Sequence, residues 1–327
     1  MRQPKILITN KVRPCGVAAL QKAGFELVWS KSNSVSDVKE LIGDCDGIIA
    51  RMTPVKAELI EAAPSLKIIG MHGVGLDGID VSLATKRGIA VTRAADSNAI
   101  SVAENVMAMM LALTKNTVAA DHALRTEHNF QARDRFIGHD LAGRVLGFVG
   151  LGRIGKRLAK MAITGFGMKV IAYDPYVSAD QMRDVSADIT KKDSIEEVVS
   201  QADYVSFHTV LTPEMVGFVN YDLLKLMKPT AYFINEMRGA LVNEADLYRA
   251  LEEGVIAGAA RDVFVSEPPR DYKLMSAKNL LATPHIGAST YESMDRTILT
   301  LADEFRAFFR GEQMKYLVNP DYKKLNS

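Results

Sequence analysis

Cysteine is scarce in this sequence of 327 residues, in which only Cys15 and Cys45 are present. Two cysteines cannot cross-link a chain of this length into a disulfide scaffold, and their spacing is not that of metal ligands. We therefore expect no metal site, and we interpret both cysteines as small buried hydrophobic residues.

Long apolar runs and an excess of one charge are also missing. The most apolar helix-like segment, residues 106–114, is too short to span a bilayer. The first residues lead directly into a strand-like segment and lack the features of a signal peptide. The 40 Lys and Arg residues nearly balance the 39 Asp and Glu residues. These absences argue against membrane and nucleic-acid partners and favour a cytoplasmic enzyme with a small-molecule substrate.

Short apolar runs, often β-branched, alternate with amphipathic segments along the whole chain. This alternation predicts an α/β fold with parallel sheets and helices on their faces. Because chains longer than about 300 residues usually divide into domains, we expect two doubly wound, Rossmann-like domains. The predicted strands are residues 5–9, 47–50, 67–71, 89–92, 145–149, 169–172, 204–207, 231–234, 256–260 and 280–282.

Two segments interrupt the alternation. Residues 98–117 have a long helical pattern rich in Ala, Met and Leu, which indicates a helix that joins two domains. Residues 127–139 are polar and predict an exposed excursion. This excursion is compatible with three interpretations, namely a solvated loop, a subunit contact and an arm that approaches the substrate.

The strongest local motif is VGLGRIG, in which Gly150, Gly152 and Gly155 follow a predicted strand and open a predicted helix. The three glycines permit a tight turn, a close approach of the backbone to a pyrophosphate, and close packing of helix on strand. The free N–H groups at the start of the helix favour the phosphates. Asp174, at the end of the next strand, can accept both ribose hydroxyls and would repel a 2′-phosphate. The motif therefore predicts NAD rather than NADP.

Three strand ends in the second half carry residues suited to hydride chemistry on a 2-keto acid. Arg238 can hold a carboxylate with its planar fork. His285 can act as the general acid or base, and Glu267 can orient the imidazole and favour its protonated form. On spacing alone, a surface arginine and a glutamate that simply ends an element are the stronger interpretations.

Ten segments of this sequence, in order, resemble the D-isomer-specific 2-hydroxyacid dehydrogenases, in the branch similar to phosphoglycerate dehydrogenase. The resemblance extends from about Ile48 to Glu304. The segments are IIARMTPV, LKIIGMHGVGLDGIDV, ATKRGIAVT, VAENVMAMMLAL, LAGRVLGFVGLGRIG, GMKVIAYDPY, ADYVSFHTVLTPE, MRGALVNEADLYRAL, DVFVSEPP and TPHIGAST.

The resemblance implies a role for each matching residue. Arg238 falls on the substrate-gripping arginine of the family, Glu267 on its acidic partner and His285 on its acid/base histidine. Asp262 falls on the aspartate near the nicotinamide amide. Further residues implied at the cofactor are Arg153, Ile154, His208 and Thr209, and those implied at the substrate are Arg51, Val74 and Gly75. A direct substrate contact and a simple strand-end turn are both open for Val74 and Gly75.

The resemblance also implies the domain organisation. The substrate-binding domain would be flavodoxin-like and discontinuous, with residues 1–98 and 287–327. Residues 99–286 would form the NAD-binding Rossmann domain, and a cleft between the domains would hold the substrate. A homodimer through the NAD-binding domain is implied, with residues 98–117 and 127–139 as candidate contacts.

Several positions depart from the family pattern. Met237 replaces a common alanine, and the charged residues Glu236 and Arg261 replace neutral ones. An ion pair across the site and two separate solvated charges are both compatible with the last two. Arg93 could be a cation for the substrate or a hinge residue. Met71 stands where the similar phosphoglycerate enzymes have an arginine.

These observations predict an NAD-dependent oxidoreductase that interconverts a small D-2-hydroxy acid and its 2-keto acid. The loss of an arginine at Met71 favours an unphosphorylated acid of the hydroxypyruvate or glyoxylate type over a phosphoglycerate-type substrate. Two alternatives remain on the same fold. One is an NAD(H)-sensing regulator that resembles a corepressor, and the other is a phosphite-type dehydrogenase. Glu267 argues against formate chemistry, which would require glutamine there.

Overall fold

The computed structural model describes residues 2–323. Within these residues the chain divides into two compact units. One unit contains residues 2–98 and 289–323, and the other is Ala99–Ala288. The assignment of the first to the substrate and of the second to the cofactor stays a prediction.

The first unit is built on a parallel sheet of five strands. Its strands are β1 (Lys5–Ile8), β2 (Glu26–Trp29), β3 (Gly47–Ala50), β4 (Ile68–Met71) and β5 (Ala90–Arg93). They lie in the order β2-β1-β3-β4-β5, which is the flavodoxin-like order. The helices between them are α1 (Pro14–Lys22), α2 (Val35–Ile42), α3 (Ala57–Glu61) and α4 (Val81–Lys86). Every residue of the central strand β3 is buried, as expected for a parallel strand covered on both faces.

The second unit contains a parallel sheet of seven strands. They are β6 (Val145–Val149), β7 (Lys169–Tyr173), β8 (Ile189–Lys191), β9 (Tyr204–Phe207), β10 (Tyr232–Asn235), β11 (Gly258–Arg261) and β12 (Leu280–Ala282). The strands lie in the order β12-β11-β10-β9-β6-β7-β8. Successive strands are added toward one side of the sheet from β6 to β8 and toward the other side from β9 to β12, as in a Rossmann sheet. Ligands of such sheets bind at the carboxyl ends of the strands near this reversal.

Helices cover both faces of the second sheet. They are α5 (Ala99–Thr114), α6 (Thr117–Glu127), α7 (Arg153–Phe166), α8 (Ala179–Arg183), α9 (Ile195–Gln201), α10 (Tyr221–Lys225) and α11 (Glu244–Glu252). On one face, α5 and α7 pack together around Leu146 and Phe148, with α7 on β6 and β7 and α5 on β10 and β11. On the other face, α9, α10 and α11 bury Val205 and Phe233.

The chain returns to the first unit with α12 (Tyr291–Arg310), which packs on β4 and on α1. A side chain at Gly70 would lie only 2.5 Å from the ring of Phe305. Glycine at this position therefore lets the aromatic ring of α12 lie directly on the strand. Burial of one such ring stabilises the unit by roughly 2–3 kcal/mol.

The fold class predicted from the sequence is confirmed, with local corrections. The strands β2 and β8 were not predicted, and each lies at an edge of its sheet. The helix predicted for residues 98–117 ends at Thr114, because Asn116 adopts a left-handed φ of 53° before α6 begins. The excursion predicted for residues 127–139 contains a short 3-10 helix, Phe130–Phe136.

The prediction that both cysteines are buried is wrong for one of them. Cys45 is buried, whereas Cys15 is partly exposed and its Sγ donates to Oδ1 of Asp295 at 3.2 Å. Within residues 2–323 no group of three or more His, Cys, Asp and Glu side chains is arranged to hold a metal ion. None of the helices in this part of the chain has both the length and the apolarity that crossing a membrane requires.

Candidate active site

The glycine motif lies between β6 and α7, where the sheet order reverses. Gly150 has a φ of 89°, and a Cβ there would lie 2.7 Å from the carbonyl oxygen of His208. Gly152 is the N-cap residue of α7 and provides no side-chain cap. A Cβ built on Gly152 meets no atom within 4 Å. The start of α7 therefore has N–H groups without a side-chain cap and open space in front of them, which fits an anionic group such as a pyrophosphate.

Asp174 lies at the end of β7, beside the glycine turn. Its side chain is buried, with Oδ2 accepting from the N–H of Leu151 at 2.8 Å and Oδ1 from that of Tyr176 at 2.9 Å. A carboxylate offers about four acceptor sites, so both oxygens keep capacity for hydroxyl donors. Arg153 and Ile154 form the start of α7.

His208 follows β9 on the other side of the reversal. The ring is buried beside Phe148, and its Nε2 lies 2.9 Å from the hydroxyl of Ser206. Burial lowers the pKa of His208 to about 4, so the imidazole is neutral near pH 7. Its Nδ1 has no hydrogen-bond partner among the described residues. The hydroxyl of Thr209 donates to the carbonyl of Val210 at 3.4 Å.

Arg238, Glu267 and His285 follow three neighbouring parallel strands, β10, β11 and β12. Parallel strands end at the same edge of a sheet, so the three residues are brought to one edge. Nδ1 of His285 lies 2.6 Å from Oε2 of Glu267. The other oxygen of Glu267 accepts from the N–H of Phe264 at 3.1 Å, which fixes the carboxylate. His285 itself adopts a φ of 53°, a conformation that is uncommon for residues other than glycine and is found at functional sites.

The loop of Arg238 packs against the loop of Glu267. The side chain of Asn235 donates to the carbonyl of Arg238 at 2.9 Å, and the guanidinium donates to the carbonyl of Met237 at 2.6 Å. A Cβ at Gly239 would lie 1.9 Å from the carbonyl carbon of Phe264. Only glycine permits this approach.

Asp262 joins the β11 loop to the β12 loop. It is 2% exposed and accepts three hydrogen bonds, from the hydroxyl of Thr283 at 2.6 Å and from the N–H groups of Ile286 and Gly287 at 2.7 Å each. These donors satisfy the ionised carboxylate in a buried place. They also fix the segment that carries His285.

The two unusual charges at this edge do not pair with each other, and neither is solvated, so both interpretations of the sequence are wrong. Glu236 accepts a hydrogen bond from the side chain of Asn105 at 3.0 Å. Arg261 is fully buried, and its Nη1 lies 3.0 Å from Oε1 of Glu244. Its guanidinium also lies 5.1 Å from the centre of the Phe264 ring.

The predicted substrate residues of the first unit lie at the carboxyl ends of its strands. Arg51 follows β3, and its guanidinium donates to the carbonyl of Lys11. Val74 and Gly75 lie in the loop after β4, and Arg93 at the end of β5 donates to the carbonyl of Val74 at 3.0 Å. Arg93 therefore holds this loop in place.

Sequence reasoning missed Asn105, Thr283, Ser206 and Phe264. Asn105 is one of the few polar residues of the mainly apolar helix α5, and this contrast is visible in the sequence. The other three were not detectable in this way, because Ser and Thr beside strands and Phe in a loop are common without any function.

Comparison with known proteins identifies the family of this chain. Residues 107–287 match the family model described as D-isomer specific 2-hydroxyacid dehydrogenase, NAD binding domain. The chain is 38% identical over 316 residues to a D-3-phosphoglycerate dehydrogenase of Methanocaldococcus jannaschii, which covers 96% of this chain and 59% of that protein. The chain thus spans about six tenths of the length of the curated relatives it matches.

Solved structures are similar over almost the whole chain. A D-lactate dehydrogenase of Aquifex aeolicus, in complex with NAD and lactic acid, has a TM-score of 0.84 at 29% identity and covers 96% of this chain and 99% of its own. An NADPH-dependent glyoxylate/hydroxypyruvate reductase of Sinorhizobium meliloti, in complex with NADP and malonate, has a TM-score of 0.82 at 28% identity, with 98% of both chains covered.

Proposed function

Because this chain belongs to the D-isomer-specific 2-hydroxyacid dehydrogenase family, we propose that it interconverts a small D-2-hydroxy acid and its 2-keto acid with NAD. The observation that carries the proposal is the contact of 2.6 Å between His285 Nδ1 and Glu267 Oε2, on the loop next to that of Arg238. The reaction requires an imidazole that is held by a carboxylate, and it also requires an arginine at the same end of the sheet.

Each residue of this set takes one role. Arg238 binds the substrate carboxylate through its guanidinium. With Nδ1 directed at Glu267, His285 uses Nε2 to donate a proton to the developing alkoxide during reduction and to accept it during oxidation. Glu267 selects the tautomer and stabilises the imidazolium. NAD supplies or accepts the hydride when it is bound.

The residues of the glycine turn fit the cofactor. The start of α7, at Gly152, Arg153 and Ile154, would hold the pyrophosphate, and Asp174 would accept the adenosine ribose hydroxyls. His208, Thr209 and Asp262 would line the nicotinamide side. A buried carboxylate at Asp174 favours NAD over NADP, because it would lie against a 2′-phosphate.

For the substrate, we favour an unphosphorylated acid of the hydroxypyruvate or glyoxylate type. The support is Met71 at the end of β4, where an arginine would add a charge-assisted contact worth about 1.5–3 kcal/mol to a phosphate. A phosphoglycerate-type substrate is the second candidate, because the curated relatives carry that name. Arg51, Val74 and Gly75 stay predicted substrate residues.

The first test measures NADH oxidation with hydroxypyruvate, glyoxylate, pyruvate, 2-ketoisocaproate and phosphohydroxypyruvate, for the natural protein and for His285→Ala. We expect turnover on at least one unphosphorylated acid and a loss of about a thousandfold or more in the variant. The matched control is His122→Ala, since His122 is an exposed histidine of the same unit.

Other outcomes would revise the proposal. A clear preference for phosphohydroxypyruvate would overturn the substrate class and keep the reaction. Tight NADH binding without turnover on any acid would overturn the reductase. Assay with phosphite and NAD would then separate the phosphite-type dehydrogenase from an NAD(H)-sensing regulator.

We also propose a homodimer and a cytoplasmic location. For the dimer, the support is a group of exposed apolar side chains on α6 and the following segment, namely Val118, Leu124, Phe130 and Ile137. Light scattering should give twice the chain mass of 35.8 kDa. The double variant Phe130→Glu/Ile137→Glu should be monomeric, whereas Val216→Glu, at an exposed position elsewhere, should remain dimeric. The location is supported by composition alone.

A further inference from the structure

Glu236 is a buried acid that the proposed mechanism does not use. It follows β10, two residues before Arg238, and only 7% of its surface is exposed. Its Oε1 accepts from Nδ2 of Asn105 in α5 at 3.0 Å. Its Oε2 is buried and has no hydrogen-bond partner among the described residues. A buried polar atom without a partner is costly in a native fold and calls for an explanation.

The unpartnered oxygen converges with the carboxylate of Asp262. A Cβ built on Gly287 would lie 2.7 Å from Oε2 of Glu236 and 3.0 Å from Oδ2 of Asp262. The two carboxyl groups therefore approach the same point, which is open only because residue 287 is glycine. Two acids in one buried place cannot both carry their charge without a large penalty.

The hydrogen bonds decide which of the two acids is neutral. Asp262 accepts from Thr283, Ile286 and Gly287, and these three donors stabilise its ionised form. Glu236 has one donor, Asn105. Burial, opposed by the hydrogen bond from Asn105 and reinforced by the charge of Asp262, raises the pKa of Glu236 to about 8. Asp262 is the charged group whose field acts on Glu236, and Asn105 and the Gly287 main chain are neutral.

We propose that Glu236 is a cofactor-selecting residue, whose carboxyl group favours NADH when it is protonated and the cationic NAD⁺ when it is ionised. This inference rests on the proposed function, which puts the nicotinamide beside Asp262. The oxidised ring carries a positive charge and the reduced ring does not. Ionised Glu236, as a second negative charge next to Asp262, therefore stabilises bound NAD⁺ and not bound NADH. Binding of NAD⁺ releases the proton of Glu236 to solvent, and no covalent bond to the cofactor is involved.

Calorimetric titration with NAD⁺ and with NADH, at about pH 6.5 and about pH 9.5, tests this inference without turnover. The affinity for NAD⁺ relative to NADH should rise about tenfold between these pH values, because a nearby positive charge lowers a carboxyl pKa by at least about one unit. In Glu236→Gln the ratio should change by less than about twofold. The control Glu196→Gln removes an exposed carboxylate from the same unit and should behave as the natural protein.

Proton release gives a second readout. Titrations near pH 8 in two buffers of different ionisation enthalpy should show that NAD⁺ binding releases roughly half a proton, and NADH binding none. If Glu236→Gln folds poorly, Asn105→Ala replaces it. Loss of this donor should move the pH midpoint of the affinity ratio upward.

The two proposals fail in different ways. If neither cofactor binds, the proposed function is wrong. If both bind, but their affinity ratio is independent of pH and NAD⁺ releases no proton, Glu236 has no selecting role. The same conclusion follows if Glu236→Gln keeps the full pH dependence.

Discussion

The Cα of Gly239 lies directly against the main chain of Phe264, close enough that a Cβ on residue 239 would sit 1.9 Å from the Phe264 carbonyl carbon. Phe264 in turn donates its N–H to Glu267. A single close contact therefore connects the loop of Arg238 to the carboxylate that holds His285. The relative positions of the three candidate catalytic residues depend on this contact.

We predict that Gly239→Ala separates the two loops. The new methyl group overlaps backbone atoms, which cannot move aside as a side chain could, so the loops must shift. Displacement of about 1 Å in such a site lowers kcat/KM by about a hundredfold. Steady-state kinetics on the preferred keto acid measures the effect. Gly165→Ala is the control, since a Cβ there meets nothing within 4 Å. Unchanged kinetics in Gly239→Ala would show that the contact does not position the site.

Substitutions in the glycine turn can distinguish effects on folding stability from effects on NADH binding. Gly152→Ala should leave thermal stability nearly unchanged, because the added methyl group meets no protein atom and the φ of −79° suits alanine. The same methyl group should reduce NADH affinity at least about tenfold, since it occupies the space in front of α7. NADH fluorescence titration and a thermal melt provide the two measurements.

Two further glycines complete this comparison. Gly150→Ala should destabilise the protein, because its φ of 89° and the carbonyl of His208 at 2.7 Å both exclude a side chain. Gly165→Ala in the same helix should stabilise it by roughly 0.5–1 kcal/mol and leave NADH binding intact. Normal NADH binding by Gly152→Ala would contradict a pyrophosphate site at this turn.

The buried ion pair of Arg261 and Glu244 should respond asymmetrically to mutation. Glu244→Gln removes the ion-pair partner of a fully buried guanidinium and should cost about 3–5 kcal/mol. Arg261→Leu should cost less, because Glu244 is partly exposed and can turn to water. In the double variant Glu244→Gln/Arg261→Leu, most of the stability lost in Glu244→Gln alone should return. Urea denaturation of the four proteins tests this cycle. A larger loss in Arg261→Leu than in Glu244→Gln would contradict it.

His208 should make the second unit sensitive to acid. Burial lowers the pKa of His208 to about 4, whereas the unfolded chain takes up this proton below about pH 6.5. The unfolded state then binds more protons, so stability falls as the pH falls. About 3 kcal/mol of stability is therefore lost progressively as the pH falls from about 6.5 to about 4, and little more is lost below that.

Denaturation of the natural protein and of His208→Asn across this pH range measures the effect. The variant should lose less stability than the natural protein between pH 6.5 and 4. His122→Asn, at an exposed position, should follow the natural protein. Equal pH slopes for His208→Asn and the natural protein would show that His208 does not titrate in this way.

The sequence by itself determined the α/β class, the glycine turn and the three strand ends that carry Arg238, Glu267 and His285. These features depend on local patterns, such as apolar runs buried on both faces and glycines that follow a strand. It did not reveal β2 and β8, because neither of these edge strands has a run of buried apolar residues. Both ends of β2, Glu26 and Trp29, are exposed, and Ile189 is the one apolar residue of β8.

Only the tertiary structure decided the partners of the unusual charges. Glu236 and Arg261 lie on adjacent strand ends, and a pairing between them was a reasonable hypothesis from the sequence. In the fold, Asn105 comes from a helix more than a hundred positions earlier, and Glu244 comes from the helix after β10. Hydrogen bonds and ion pairs of buried groups depend on which distant segments pack together, and the local sequence pattern does not contain that information.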